Sequence, residues 1–259
     1  MDHMVKVLCI VQARLTSSRL PDKVVMPLGK DMSAGTVSDD HAGKTIAEHV
    51  YARLSLSRHI DKVVFAIPVG ACNDALERFL NEKEIPCFRG SEDNVLERFH
   101  DCIKVYQPEI VVRATSDNPF VDWQQADRQI EALPGYDYVS TTGCPLGTGV
   151  EVFYAKGLEE AYQQASSDRE REHVTPYLYL HPELFKVRRI PYRLTLHGDY
   201  RLTVDTDRDY EVAGRIYEAL YDGHPIPNER IYQYLDAHPE VSRLNADVEQ
   251  KEKDLISKR

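Results

Sequence analysis

The sequence predicts an α/β fold: a mostly parallel, mixed central sheet, doubly wound, with helices on both faces. Three observations carry this. Strand-like and helix-like patterns alternate from Val5 to Ser140, the rhythm of successive βαβ units. The first apolar run, Val5 to Val11, is continuous rather than alternating, as in a strand buried on both faces. Hydrophobic residues make up 42% of the 259 positions, enough core material for one large domain or two small ones.

The elements follow in order. After Val5–Val11, Ile46–Leu56 reads as a helix and Lys62–Ile67 as a strand. Asn73–Lys83 reads as a helix, with a short strand near Cys87. Asn94–Tyr106 is a helix because Leu96, Phe99 and Ile103 recur on one face. Ile110–Ala114 is a strand, Gln124–Leu133 a helix and Tyr136–Ser140 a strand. Beyond residue 141 the pattern is less regular. Glu151–Tyr154, Phe185–Ile190 and Arg201–Val204 read as strands, and Lys156–Ala165, Glu172–Leu180 and Arg208–Leu220 as helices. The tail carries a helical stretch near Ile231–Leu235 and a charged end expected to fray. The chain is read as one domain over 1–259, with halves of about 4–140 and 141–225 and a helical tail of about 226–259. No internal repeat is present.

Residues 29–45 interrupt the rhythm with a polar, small-residue run expected to be a mobile surface loop. Its later part, Ala42-Gly43-Lys44-Thr45, mimics the end of a P-loop. That reading fails: Ser38 stands where the first glycine belongs, Asp39 and Asp40 would repel phosphate, and no strand precedes.

The net charge of −10 argues against a nucleic-acid binder, which carries a basic footprint. No stretch approaches the roughly 18 apolar residues of a membrane span, and the start lacks the features of a secretory signal. Five cysteines form no CxxC pair. Zinc and a disulfide framework are therefore not expected, Cys9 reads as a small core residue, and a reducing cytoplasm fits the composition.

The loop Gln12-Ala13-Arg14-Leu15-Thr16-Ser17-Ser18-Arg19-Leu20-Pro21-Asp22-Lys23 gathers two arginines, a lysine and three hydroxyls after the first strand. Open α/β sheets bind ligands at the carboxyl ends of their strands, and guanidinium, ammonium and backbone donors suit a polyphosphate. An ordinary basic surface loop is the competing reading. Thr115-Ser116-Asp117-Asn118-Pro119-Phe120-Val121-Asp122 sets an acid just past a buried strand. There it can meet a hard cation or simply build a turn. In Val204-Asp205-Thr206-Asp207 another acid ends a short apolar run, and Thr206 or Asp207 can cap the helix that follows. Phe88-Arg89-Gly90-Ser91-Glu92-Asp93-Asn94 follows a short strand and opens a helix, with Ser91 or Asp93 as candidate caps. Arg169-Glu170-Arg171-Glu172-His173 reads by itself as a solvated charged helix start.

These segments, in this order, resemble a known pattern. Nucleotidyltransferases that make CMP-activated acidic sugars follow their first strand with (P/Q)-A-R-x-x-S-x-R-x-P-x-K, which Gln12, Ala13, Arg14, Ser17, Arg19, Pro21 and Lys23 match. The resemblance, over about residues 5–240, is to the spore-coat polysaccharide biosynthesis protein F-like cytidylyltransferase family. That family is a branch of the CMP-Kdo and CMP-sialate synthetase superfamily. Asp117, Pro119 and Asp122 match its Gly-Asp-x-Pro-x-x-D pattern, and Asp205 the first acid of V-D-T-P-E-D.

The resemblance implies a Rossmann-like, GT-A-like nucleotidyltransferase fold and a magnesium-dependent reaction of CTP with a small acidic acceptor. Asp117 and Asp205 are then the metal ligands, and Lys23 and Arg14 join them as catalytic residues. Nucleotide contacts fall on Gln12, Ala13, Arg14, Ser17, Ser18, Arg19, Lys23 and Arg113, with the pyrimidine read by Arg89, Gly90 and Ser91. Glu151, Arg171, Glu172 and His173 face the acceptor. The implied partners are CTP and a small anionic acceptor, with a homodimer as the candidate assembly and neither nucleic acid nor membrane. The chain departs from the family at Thr16, Asp22 and Ser116, each where glycine is usual or frequent, and at Asp207 and Arg208. Leu146-Gly147-Thr148-Gly149 stands where two acceptor-side acids are usual. Two rival readings stay open: a glycosyltransferase using Asp205-Thr206-Asp207 as a DxD motif, and a non-catalytic nucleotide-binding module.

Overall fold

The computed structural model describes residues 5–17, 19–29 and 43–250. Ser18 and residues 30–42 of the 29–45 segment lie outside them. Seven strands form one sheet in the order β3-β2-β1-β4-β6-β5-β7. They are β1 (Val7–Gln12), β2 (Lys62–Pro68), β3 (Cys87–Gly90), β4 (Ile110–Thr115), β5 (Tyr138–Thr142), β6 (Glu151–Tyr154) and β7 (Val187–Pro191). The pairs β1–β2, β2–β3, β1–β4 and β5–β7 are parallel. β6 runs antiparallel to both neighbours, β4 and β5.

Alternation along β1 explains the two layers of helices. Val7, Cys9 and Val11 face one core, and Leu8 and Ile10 face the other. The first core receives α1 (Ile46–Leu54), α2 (Asp74–Glu82), α4 (Trp123–Glu131), α8 (Asp207–Leu220) and α9 (Asn228–Ala237). The second receives α3 (Val95–Tyr106), α5 (Ala155–Gln164) and α7 (Pro176–Leu180). A short α6 (Asp168–His173) packs on α3, and α10 (Pro239–Arg243) follows α9. With continuous burial on both faces, β1 had to read as an uninterrupted apolar run.

Two element readings need correction. Arg201–Val204 is not a strand. Arg201 makes an isolated bridge to Leu146; Leu202 N donates to Leu146 O at 2.8 Å and Val204 N to Asp117 O at 2.8 Å. The segment is extended, but its partners are loop carbonyls, so no ladder forms. The single helix expected over Glu172–Leu180 is two. α6 starts earlier, with a capping box between Ser167 and Glu170. Val174 then turns to φ 69°, and Pro176 opens α7, because a proline has no N–H to continue the α6 ladder and its ring crowds the carbonyl four residues back. The Gly43-Lys44-Thr45 mimic also resolves: Thr45 caps α1 through a capping box with Glu48.

Candidate active site

The loops at the carboxyl ends of β1 and β4, the start of α3, residues 140–151 and the extended segment before α8 surround one cleft of about 870 Å³. That is large enough for a nucleotide. Gln12, Ala13, Arg14, Ser17, Arg19 and Lys23 line it, as the donor-rich loop predicted. Backbone bonds shape this loop. Ala13 N donates to Ala66 O at 3.2 Å, Leu15 N to the buried Asn73 Oδ1 at 3.3 Å, and Asp22 N to Leu15 O at 3.2 Å. A 3-10 turn over Lys23–Val25 then carries Lys23 inward. Asp22 sits at φ 56°, the left-handed region that explains why glycine is frequent there. Thr16 is not among the residues at positive φ, so it needs no glycine.

Lys23 is the centre of the site. Its side chain is 9% exposed. Nζ donates to Asp117 Oδ2 at 3.0 Å, Asp205 Oδ1 at 2.8 Å and Val204 O at 2.7 Å. The bond from Val204 N to Asp117 O holds the two acidic segments side by side. Burial disfavours the charge on Lys23, but Asp117 and Asp205 outweigh it and raise the lysine pKa. Burial likewise works against the Asp117 carboxylate, while Lys23 and the Thr115 hydroxyl, at 2.7 Å, hold its pKa below the usual value. Asp205 also pairs with Arg19 at 3.1 Å and Arg201 at 3.0 Å. Arg201 is fixed in turn by Asp209 at 2.8 Å.

Glu151 has a structural task in this arrangement. It accepts from Arg113 across the β4–β6 register, from the Tyr138 hydroxyl, and from Thr175 Oγ1 at 2.8 Å. Arg113 also donates to Gln12 Oε1 at 3.0 Å. All four line the cleft or its floor with Gln12, so Glu151 fixes the floor and Arg113 in it.

The other sequence candidates divide. Glu172 and His173 line the cleft, but Arg171 does not; its Nη2 lies 3.5 Å from Ala165 O, outside it. Arg169 is there instead. Helical spacing was the missed signal, since Arg169 and His173 are four apart and Arg171 falls between their turns. Arg89, Gly90 and Ser91 also stay out of the lining. Arg89 is held by Asp74 and Glu77, both at 2.7 Å, and by Gly70 O at 2.9 Å. Glu92, Val95 and Arg98 take the cleft-facing positions. Asn94, rather than Ser91 or Asp93, caps α3. Thr206 caps α8, and Asp207 is exposed and outside the cleft lining. Only the first acid of the DxD-like triplet therefore reaches the site. Asp122, buried at 1%, caps α4 and binds Tyr192 at 2.7 Å and Arg193 at 3.0 Å.

The Leu146-Gly147-Thr148-Gly149 segment is built for a close approach. Gly147 has φ 94°, and a Cβ there would lie 2.2 Å from Thr203 N. Thr148 is buried and bonds Pro145 O at 2.8 Å. The segment thus presses against the strand-like run that ends in Asp205.

Comparison with known proteins agrees with this geometry. A family model described as cytidylyltransferase matches residues 8–251. The chain is 33% identical to the spore coat polysaccharide biosynthesis protein SpsF of Bacillus subtilis, covering 91% of this chain and 96% of that protein. It is 35% identical to an uncharacterised protein of Methanocaldococcus jannaschii, over 95% and 97%. A cytidylyltransferase structure from Leptospira borgpetersenii superposes with a TM-score of 0.82 at 25% identity, over 95% of this chain and all of that one. A CMP:2-keto-3-deoxy-manno-octonic acid synthetase complexed with CTP shares the fold at a TM-score of 0.60 and 16% identity, over 82% and 98%. The chain belongs to the cytidylyltransferase family and has the α/β nucleotidyltransferase fold.

Proposed function

We propose that this member of the cytidylyltransferase family transfers CMP from CTP to a small anionic acceptor, an acidic sugar, and releases pyrophosphate. The product serves surface polysaccharide or glycan assembly. The observation that carries this reading is the convergence of Asp117 and Asp205 on one nearly buried cation, Lys23 Nζ, beside the arginine-bearing loop after β1.

The same convergence suits a hard divalent cation. Two carboxylates on adjacent segments face one cationic position, and Mg²⁺ takes one or two protein carboxylates with phosphate oxygens and water completing its shell. Asp117 and Asp205 would hold it. When bound, such an ion neutralises phosphate charge during attack at the α-phosphorus. Arg14, Ser17 and Arg19 bind and orient the triphosphate through N–H and O–H donors. Lys23 balances the charge that collects on the departing pyrophosphate. The acceptor oxygen approaches the α-phosphorus in line, opposite the bridging oxygen that leaves, so the protein's task is positioning.

On the acceptor side of the cleft stand Arg169, Arg189 and His173 along with Glu172 and Asp199; Glu151 is paired with Arg113, and residues 146–149 offer no carboxylate. We take the two arginines as the donors for an anionic acceptor. The relatives support the same class, one being named for spore coat polysaccharide and another for an acidic sugar. The test is pyrophosphate release from CTP with Mg²⁺ and a panel of sugars. A 2-keto-3-deoxy sugar acid is expected to support release and a neutral hexose is not. Equal release with the hexose sinks the anionic acceptor. Hydrolysis of a nucleotide-sugar without pyrophosphate sinks the transfer itself.

A further inference from the structure

Asp205 divides its two carboxylate oxygens. Oδ1 accepts from Lys23, which also binds Asp117, while Oδ2 accepts from Arg201 at 3.0 Å and pairs with Arg19 at 3.1 Å. The Asp205 backbone N donates to Asp209 Oδ2 at 3.1 Å. Arg201 and Asp209 are joined to each other, Arg201 Nε donating to Asp209 Oδ1 at 2.8 Å. Together they grip Asp205 from the side away from Lys23.

Both are held in turn by the last described stretch of the chain. Asn245 follows α10, 44 residues beyond Arg201, and is 1% exposed. Its Nδ2 donates to Arg201 O at 3.0 Å and to Asp209 Oδ1 at 2.9 Å. Gln250 Oε1 accepts from Arg201 Nη1, and Gln250 lines the cleft. A buried amide costs free energy unless it is bonded, and an apolar residue at 245 would continue the packing of Val241 and Leu244 without that cost. The two N–H bonds of the Asn245 amide instead reach the residues that support Asp205. We infer, on the reading of Asp205 as a metal ligand, that Asn245 is a positioning residue for it. Through Arg201 and Asp209, with Gln250 beside them, the C-terminal segment sets the carboxylate that would hold the divalent cation. Arg201 keeps Oδ2 back and leaves Oδ1 turned to the Lys23 and Asp117 side. Without Asn245, Arg201 and Asp209 gain freedom and Asp205 loses its fixed orientation. Partners that orient a ligand in this way are worth about 10- to 100-fold in metal affinity. Arg14 and Ser17, on the loop after β1, stand outside this network, so triphosphate binding without metal does not depend on it.

The test is Mn²⁺ affinity of the full chain by electron paramagnetic resonance, with protein in excess over CTP and no acceptor present. CTP affinity without metal and melting temperature are measured alongside. The variants are Asp205→Asn, Asn245→Ala, Gln250→Ala and, as a core control on α5 in the opposite helical layer, Leu158→Ala. Asn245→Ala is expected to weaken Mn²⁺ binding about 10-fold and Gln250→Ala about threefold. Both are expected to keep metal-free CTP affinity within about twofold of the unmodified protein. Leu158→Ala is expected to lower the melting temperature, as a core truncation does, and to leave Mn²⁺ affinity unchanged. Gln250→Ala trims a partly exposed side chain, so it decides the matter even where Asn245→Ala does not fold. Weakened Mn²⁺ binding in Asp205→Asn, with unchanged affinity in Asn245→Ala and Gln250→Ala, overturns the inference and leaves the metal site standing. Equal weakening in Leu158→Ala overturns it too, since the tail then only stabilises the fold. Undiminished Mn²⁺ affinity in Asp205→Asn removes Asp205 from the metal site, and the inference falls with that reading.

Discussion

At the scale of single residues, the proposed chemistry concentrates on Asp117, Lys23 and Asp205. Asp117→Asn and Asp205→Asn keep shape and remove one charge each. Each is expected to lower kcat by on the order of 10² or more with little change in melting temperature. Wild-type turnover at limiting Mg²⁺ in either variant would remove that residue from the metal site. Lys23→Met is expected to depress kcat more than CTP affinity, because its charge matters most at the leaving group. An unchanged kcat would reduce Lys23 to a binding residue. Asp117 and Asp205 could be placed from the sequence because each follows a recognisable apolar run, and residues at strand ends face the cleft of an open sheet; Lys23 could be placed because it ends the donor-rich loop after β1. The surroundings of Glu151 were not legible, because a sequence does not reveal that three donors, on β4, β5 and the α6–α7 turn, converge on one carboxylate.

His49 was not singled out in the sequence and gives a pH prediction at the same scale. It is 2% exposed, packs on Tyr217 at 4.1 Å between ring centres, and donates from Nε2 to Leu28 O at 3.2 Å. Burial, ahead of the nearby Arg53 and Lys44 charges, pushes its pKa down to about 4 from 6.5. The unfolded chain therefore binds a proton below pH 6.5 that the folded chain refuses until about 4. Stability falls as pH drops through that window, by up to about 3 kcal/mol. Urea titrations between pH 7 and 4 are expected to show this slope, and His49→Gln to flatten it. An unchanged slope in the variant would move the effect to the carboxylates.

At the scale of elements, the 146–149 segment carries the sharpest contrast between sequence and structure. Read as text, it is a place where two acids are missing. In space, Gly147 at φ 94° lets the backbone meet Thr203, whose run ends in Asp205. Gly147→Ala sets a Cβ 2.2 Å from Thr203 N and adds left-handed strain. It is expected to cost about 3 kcal/mol or more, or roughly 6–12 °C in melting temperature. Gly135→Ala is the control. It has φ 87° but no atom within 4 Å of the added Cβ, so only strain of about 1 kcal/mol is expected. Equal losses would mean that the contact with Thr203 is soft. The helices that read correctly, such as α3 and α8, had apolar periodicity to mark them. The break at Val174 was marked too, by Pro176 and by Ser167 with Glu170, and capping signals located those ends better than charge did.

At the scale of the whole molecule, Arg53 joins parts that are distant in sequence. It is completely buried on α1, in helical register with Ile46, Val50 and Leu54 on the core face. It donates to Val121 O at 2.8 Å, to Ile226 O at 2.6 Å and to the Asn228 side chain, and lies 4.8 Å from the Trp123 ring centre. It thereby ties α1, the loop that follows Asp117 and the start of the tail helices into one unit. The register was readable in the sequence; the partners were not, since three of them are backbone carbonyls more than 65 residues away. Arg53→Leu leaves those carbonyls buried without a donor, which is expected to cost at least about 3 kcal/mol. Asn228→Ala alone is expected to cost less, because Arg53 keeps its carbonyl partners. Because both variants damage one network, the double variant is expected to fall short of the sum by about 1 kcal/mol or more. CTP affinity is expected to drop with Arg53→Leu although Arg53 lies outside the cleft, because Phe120 and Val121 carry the turn that holds Asp117. Chemical denaturation of the four proteins, with CTP titrations alongside, decides the point. Additive losses with unchanged CTP affinity would mean that Arg53 merely fills space, and that the tail and the catalytic turn are stabilised separately.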